Sequence, residues 1–198
     1  MTVPRHRTLD FLLSRSAHTV PHLHGTLLDH LVATEDLLRS WGCPEDLCRA
    51  GLVHATYGTD GFAPFLVPPD DRTPLAAAAG PEVEEIVYLY ASCDRSFVYP
   101  QLPGEGPVRF RDRFRQTTAV PPPASLRDFV DLTLANELEV ARSGDRASGP
   151  PPWIGPLVEA LEGRASPGAA TGARCLLAGW GPGPDAGRSS GRRTGVRR

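Results

Sequence analysis

The sequence predicts an all-α protein, a helical bundle with one possible short hairpin near 108–119. Three observations carry that expectation. Apolar residues recur at three- and four-residue intervals in separate stretches between residues 7 and 142, the period of helices with one buried face. Those stretches open on proline, hydroxyl or acidic residues, and a glycine follows the longest of them, which is the chemistry of helix ends. The alternation expected of a strand is confined to VRFRDRFRQT.

Taken in order, RTLDFLLSR (7–15) makes a short amphipathic helix with Leu9, Leu12 and Leu13 inward. Residues 16–24 form a His-rich loop containing Pro21. A longer helix follows, from an N-cap at Thr26 to Trp41, with Gly42 at the C′ position. Its buried stripe is Leu27, Leu28, Leu31, Leu38 and Trp41, and His30 lies on the edge of that stripe.

The next helix opens at Cys43-Pro44-Glu45-Asp46, with proline at N1 and acids where the helix dipole favours them. It turns Leu47, Ala50, Gly51 and His54 inward, and the small pair would let another helix approach closely. After a Pro-rich loop at 62–70, a third helix spans about 82–95, opened by Pro81 and glutamates. Val83, Ile86, Val87, Tyr90 and Asp94 share its inner face, and a carboxylate there needs a partner. Ser125 with Asp128 suggests the start of a fourth helix reaching Arg142, with Asn136 and Glu137 at its margin. WIGPLVEALEG allows a last short helix. Residues 1–162 thus read as one domain, and 163–198, rich in Gly, Pro and Arg, as a disordered tail.

Composition narrows the function classes. All 21 basic residues are arginine, and the formal charge is −2. The tail holds seven Arg against one Asp, so the rest of the chain is markedly acidic. An acidic body is a poor phosphate-backbone binder, which argues against a nucleic-acid interface. The four cysteines (43, 48, 93 and 175) show no CxxC spacing and read as reduced thiols. No 18-residue apolar run and no signal-like N-terminus is present, so the expectation is a cytoplasmic protein with no membrane partner.

All six histidines lie at or before residue 54. His30, His54 and Asp94 each sit near a helix end, on or beside an apolar face, and packing of those faces would bring two imidazoles and one carboxylate together. That set leaves open positions on a metal. His22 or His24, on the preceding loop, could add a fourth ligand or a general acid/base. The structural alternatives are hydrogen-bonded core histidines, a His–Asp pair without metal, a turn at Tyr57–Asp60, and Arg95 merely neutralising Asp94.

The stretch LLDHLVATEDLLRSWGCPEDLCRAGLVHATYGTD, followed later by GPEVEEIVYLYASCDR, resembles the HD-domain superfamily, in particular the HD core of alarmone hydrolases. With PH before it and YGT within it, the stretch is closer still to an uncharacterised HD-like family with the pattern PH…TLLDHL…WG…AGLxHSxYGT and a later DR. The resemblance implies an HD-like helical fold with His30 and His54 as metal-binding histidines and Asp94 as the final aspartate. It departs where the aspartate after the second histidine should stand: that residue is Ala55. The acidic pair of alarmone hydrolases is replaced by Gly58-Thr59. A binuclear centre and alarmone hydrolysis are therefore not expected.

The functional expectation is a hydrolase of a small phosphorylated or nucleotide-like substrate, using one divalent metal (Mn, Fe or Zn). His22 and Tyr57 are its catalytic candidates, and Arg72, Arg95 and Asn136 its contacts to an anionic small molecule. Two alternatives stand beside it: a non-catalytic HD-like scaffold that binds a ligand or partner, and a mononuclear non-haem iron oxygenase.

Overall fold

The computed structural model describes residues 3–23, 25–143 and 149–180. His24 and residues 181–198 lie outside the described residues. Helix α1 (Arg5–Ser14) leads through a 3-10 turn (Ala17–Thr19) into a miniature hairpin, β1 (Pro21–His22) and β2 (Gly25–Thr26). Four helices follow: α2 (Leu27–Ser40), α3 (Glu45–Val53), α4 (Thr73–Ala79) and α5 (Pro81–Ala91). The short α6 (Arg95–Val98) and a 3-10 turn precede the hairpin of β3 (Phe110–Asp112) and β4 (Thr117–Ala119). The chain then forms α7 (Pro123–Arg142), α8 (Ile154–Leu161) and α9 (Pro167–Ala178). The all-α expectation and the hairpin near 108–119 both hold.

Helix α2 packs against α3 on one side and α7 on another, and α3 also packs on α5. It begins where the sequence places it, because Thr26 and Asp29 form a reciprocal capping box that satisfies two otherwise orphaned backbone donors. Gly42, at φ 72°, ends it in the left-handed conformation expected of a C′ glycine. The close approach of α2 and α3 runs through Gly51: a Cβ there would stand 2.6 Å from Leu38 Cδ1. Two apolar clusters result. One gathers Leu12, Leu27, Leu31, Val53, Val83 and Val87. The other joins Leu38, Trp41, Phe129, Leu138, Ile154 and Val158.

Several boundaries differ from the expectation, each for a local reason. Pro44 is the N-cap of α3 rather than its first residue. Helix α7 starts two residues before Ser125, with Pro122 as its N-cap. Helix α5 stops at Ala91 because the next residues pair with the hairpin: Arg113 N donates to Ser92 O at 2.8 Å and Asp94 N to Arg111 O at 3.1 Å. Asp94 is thereby removed from the apolar face of α5 and becomes the N-cap of α6. The alanine-rich α4 lies between the loop at 62–70 and the third expected helix, where no element is expected.

Helix α9 lies inside the segment expected to be a disordered tail. Ser166 caps it, accepting from Ala169 N, and Ser166 N donates to Asp131 Oδ1 at 2.9 Å. A Cβ on Gly172 would overlap the Trp41 indole, so the glycines that weaken the helix signal are what let α9 lie on Trp41. Among the described residues no helix is long and apolar enough to cross a membrane.

Candidate functional site

His30, on the first turn of α2, and His54, the C-cap of α3, are both buried. Their Nε2 atoms face each other at 3.2 Å. The other nitrogen of each ring is committed. His54 Nδ1–H donates to the Gly51 carbonyl at 2.8 Å, and His30 Nδ1–H donates to the Glu139 carboxylate. A neutral imidazole carries one N–H, so these bonds leave a lone pair on both inward-facing Nε2 atoms. Burial, and next the neighbouring His30, push the His54 pKa down to about 3, so this ring remains neutral well into acid.

Helix α7 contributes the third atom. Asn136 Oδ1 lies 3.1 Å from His30 Nε2. Its amide nitrogen donates to Glu137 Oε1 at 3.1 Å, which fixes the oxygen toward the histidines. Glu137 is in turn held by Arg95 Nη1 at 2.9 Å, and Arg95 Nη2 donates to the Tyr90 hydroxyl at 3.2 Å. The Tyr90 ring stands edge-on to His54 with centroids 5.5 Å apart. With both imidazoles neutral, two ring nitrogens and an amide oxygen, all acceptors, meet at this point.

His22 completes the cluster from the hairpin. Its ring lies 4.5 Å from that of His30 and 4.8 Å from that of Phe62. A pocket of about 300 Å³ reaches His22, His30 and Glu139 but not His54 or Asn136, and Gly25, Asp29 and Ser143 also line it. A larger groove of about 780 Å³, between α5, the β3–β4 hairpin and the start of α7, contains none of the histidines.

The other expected site residues are placed differently. Asp94 is not with the histidines: its carboxylate accepts from Ser96 Oγ and Phe97 N and pairs with Arg111 at 3.4 Å. The Ser96 hydroxyl, then Phe97 N–H and Arg111, hold its pKa below the usual carboxylate value. The expected triad of His30, His54 and Asp94 is thus two imidazoles with Asn136 in the third place. Among the described residues no group of three or more His, Cys, Asp or Glu side chains is arranged to hold a metal ion.

Tyr57 is buried and donates to Glu84 Oε1 at 2.8 Å, the oxygen that also accepts from Arg72 Nε at 2.7 Å. Burial and this carboxylate push the Tyr57 phenol pKa up, which unsuits it to proton transfer. Tyr57 and Arg72 form a structural cluster with Glu84 in place of the catalytic and substrate-binding roles expected. The Arg95 guanidinium is likewise engaged by Glu137 and Tyr90, and it is Arg111 that neutralises Asp94. Ala55 is buried, so no carboxylate follows the second histidine.

Glu139 was missed by the sequence reading. Its signal was present, because it stands three residues beyond Asn136 and so on the same face of α7.

Residues 11–95, less than half of the chain, match a family described as a domain of unknown function (DUF6817). The matched stretch includes His22, His30 and His54 and stops short of α7, which carries Asn136 and Glu139. No curated protein and no solved structure matches the chain.

Proposed function

We propose that this chain is a metal-dependent hydrolase of HD type, with one divalent ion held by His30 Nε2, His54 Nε2 and Asn136 Oδ1. The observation that carries the reading is the pair of separations from His30 Nε2, 3.2 Å to His54 Nε2 and 3.1 Å to Asn136 Oδ1. Donors each ~2.0–2.2 Å from one ion, at tetrahedral or octahedral angles, stand roughly 2.9–3.5 Å apart. Three lone pairs at that spacing repel unless a positive charge lies among them. Imidazole and amide donors suit zinc, iron or manganese.

A bound ion supplies a Lewis acid and a water of lowered pKa at neutral pH. The chain supplies the rest. Glu139 orients His30 and strengthens it as a donor, in the carboxylate–histidine arrangement found behind metal ligands. The Gly51 carbonyl performs the orienting part for His54. Arg95, through Glu137, sets the orientation of the Asn136 amide.

The pocket at His22 and Glu139 admits a small molecule. Arg72 and Arg95 are closed by glutamates, and the pocket wall carries the carboxylates of Asp29 and Glu139. The proposed substrate is therefore a small hydrolysable molecule that is not strongly anionic, a departure from the phosphorylated class expected from the sequence. The oxygenase alternative has lost its ligating carboxylate and is not carried further.

Metal content by plasma mass spectrometry, wild type beside His54→Ala, tests the proposal. About one equivalent of zinc, iron or manganese, lost in the variant, is the expected result. A protein that stays metal-free after reconstitution overturns it.

One observation favours a second reading, a non-catalytic scaffold. Of the two carboxylates the resemblance implies, one is replaced by Ala55 and the other, Asp94, stands with Arg111 and Ser96 rather than with the histidines. In that case the positive charge is a proton on His30 Nε2, shared toward His54 and Asn136. A metal-free protein whose stability ignores chelators supports it.

A further inference from the structure

We infer that His22 is the third imidazole of this centre, carried to it by the β1–β2 pairing beside the pocket. The inference rests on the metal reading of His30 and His54 and adds a ligand to it.

This β1–β2 strap is short and tied at both ends. Pro21 pairs with Thr26 and His22 with Gly25, and Leu27 N donates to the Val20 carbonyl at 2.8 Å. It lies tight against the start of α2, where a Cβ on Gly25 would stand 3.0 Å from Asp29 Oδ2. Asp29 and Thr26 belong to the capping box of α2, so the strap is anchored to the same helix turn that carries His30. This fixes the His22 ring between the rings of His30 and Phe62.

Two unfavourable features sit side by side in this strap. His22 Nε2 is shut off from solvent yet has no hydrogen-bond partner among the described residues. Buried imidazole nitrogens are ordinarily satisfied. The next residue, Leu23, holds φ at 49° and leaves 48% of its surface exposed. A branched apolar side chain in the left-handed region is costly and tends to persist at functional sites. A loop under no constraint would place glycine or asparagine there. Both features follow if the β1–β2 turn is shaped to aim His22 at a ligand, since Nε2 has no partner among the described residues.

A cation fits that partner better than an anion. The wall near His22 holds His30 and the carboxylates of Glu139 and Asp29, and no arginine lines it among the described residues. As described, the three imidazoles are neighbours but not yet a ligating set. Moving His22 onto the ion requires rotation of a ring whose Nε2 is bound to nothing else. The resulting donors, three neutral imidazoles and one amide oxygen, would replace the missing carboxylates in number while leaving the charge of the ion uncompensated.

Titration of the wild-type protein, labelled with ¹⁵N-histidine, with Zn²⁺ tests this. The expected result is that Nε2 resonances of three residues, His22, His30 and His54, shift together and saturate at one equivalent. Shifts confined to His30 and His54 overturn the role of His22 and leave the centre standing. No shift at any of them overturns the centre, and the inference with it. A companion experiment uses Co²⁺ as the probe. His22→Ala is expected to bind it at least ~10-fold more weakly than wild type, with an altered visible spectrum and an unchanged apo circular dichroism spectrum. Equal affinity and an identical spectrum in the folded variant overturn the assignment. If His22→Ala does not fold, the wild-type titration decides alone.

Discussion

Replacing Glu139 with glutamine isolates the electrostatic contribution behind His30. Glu139 accepts from His30 Nδ1–H on one oxygen and from the Ser143 hydroxyl, at 2.8 Å, on the other. Its side chain is 12% exposed, so solvent screens it weakly. Glutamine has the same shape and can still accept from Nδ1–H, and its amide can donate to the Ser143 oxygen. The substitution therefore removes one negative charge with little change of geometry. Second-layer partners of metal ligands contribute ~10–100-fold to affinity, and the full charge lost here sets the expectation within that range. That corresponds to about 1.4–2.7 kcal/mol of binding free energy. The assay is Zn²⁺ competition against a chromogenic chelator, paired with urea unfolding of both metal-free proteins. The metal reading expects weaker Zn²⁺ binding and an apo stability within ~1 kcal/mol of wild type, because a neutral hydrogen bond remains. The scaffold reading, with a proton on His30, expects instead that the metal-free variant loses ~1.5–3 kcal/mol, because a hydrogen bond between charged groups has been weakened. Zn²⁺ affinity unchanged within twofold would refute the argument that Glu139 acts on an ion through His30.

Three further outcomes are expected. Asn136→Asp places a carboxylate 3.1 Å from His30 Nε2 and should tighten Zn²⁺ binding by at least ~10-fold, since a ligating charge is added; an unchanged Kd would remove Asn136 from the centre. Arg72→Ala leaves Glu84, 5% exposed, without its cation and should cost about 3 kcal/mol in urea unfolding while leaving Zn²⁺ affinity as it was; a loss of affinity would tie this cluster to the site after all. Asp128 is half-buried, and burial, with the negative Asp131 beside it, raises its carboxyl pKa. Below the ordinary carboxylate pKa both folded and unfolded chains are protonated there and nothing is lost. As pH rises through the raised folded value, the native state loses stability relative to the unfolded chain. Asp128→Asn should therefore melt higher than wild type at pH 7, by less than ~1 kcal/mol given its exposure, and the difference should close as pH falls toward 4. A difference that does not vary with pH refutes this.

The helices were legible because their signals are local. Thr26 and Asp29 spell out the cap of α2, and Leu27, Leu31 and Leu38 its buried stripe. The small Ala50-Gly51 pair announced the close approach of α2 and α3, and that approach is what brings His30 and His54 together. The third ligand position was not legible from Asp94. Helical periodicity carried through Ser92 and Cys93 keeps Asp94 on the inner face of α5, whereas the pairing of Ser92 and Asp94 with the β3 segment ends the helix first. That contact joins residues about twenty positions apart, and no window on the sequence shows it. Helix α9 was hidden for a related reason. Its glycines lower helix propensity, and only the position of Trp41 in the fold shows why they are required. Asn136 was recognised as a site residue but as a substrate contact, because its distance from two histidines more than eighty residues earlier is a property of packing alone.

The arrangement of charge around the histidines follows from where the acids now stand. The HD resemblance implies carboxylates directly on the ion, yet the groups beside the two Nε2 atoms are uncharged: the Asn136 amide oxygen at 3.1 Å from His30 Nε2 and the neighbouring His22 ring. Two glutamates stand one bond further out, Glu139 behind His30 and Glu137 behind Asn136. Glu137 is neutralised by Arg95, whereas the partners of Glu139 among the described residues are His30 and Ser143 and include no arginine. A charge about 6 Å away, at an effective dielectric constant near 20, attracts a unit positive charge by ~3 kcal/mol. That attraction would hold a divalent ion without spending a coordination position on it. It would hold one ion in preference to two, because a second would face the first with no bridging carboxylate between them. On the proposed metal reading, the same geometry would give a mononuclear centre and a stronger Lewis acid than a carboxylate-ligated ion. It also makes Glu139 the residue on which the metal and proton readings part.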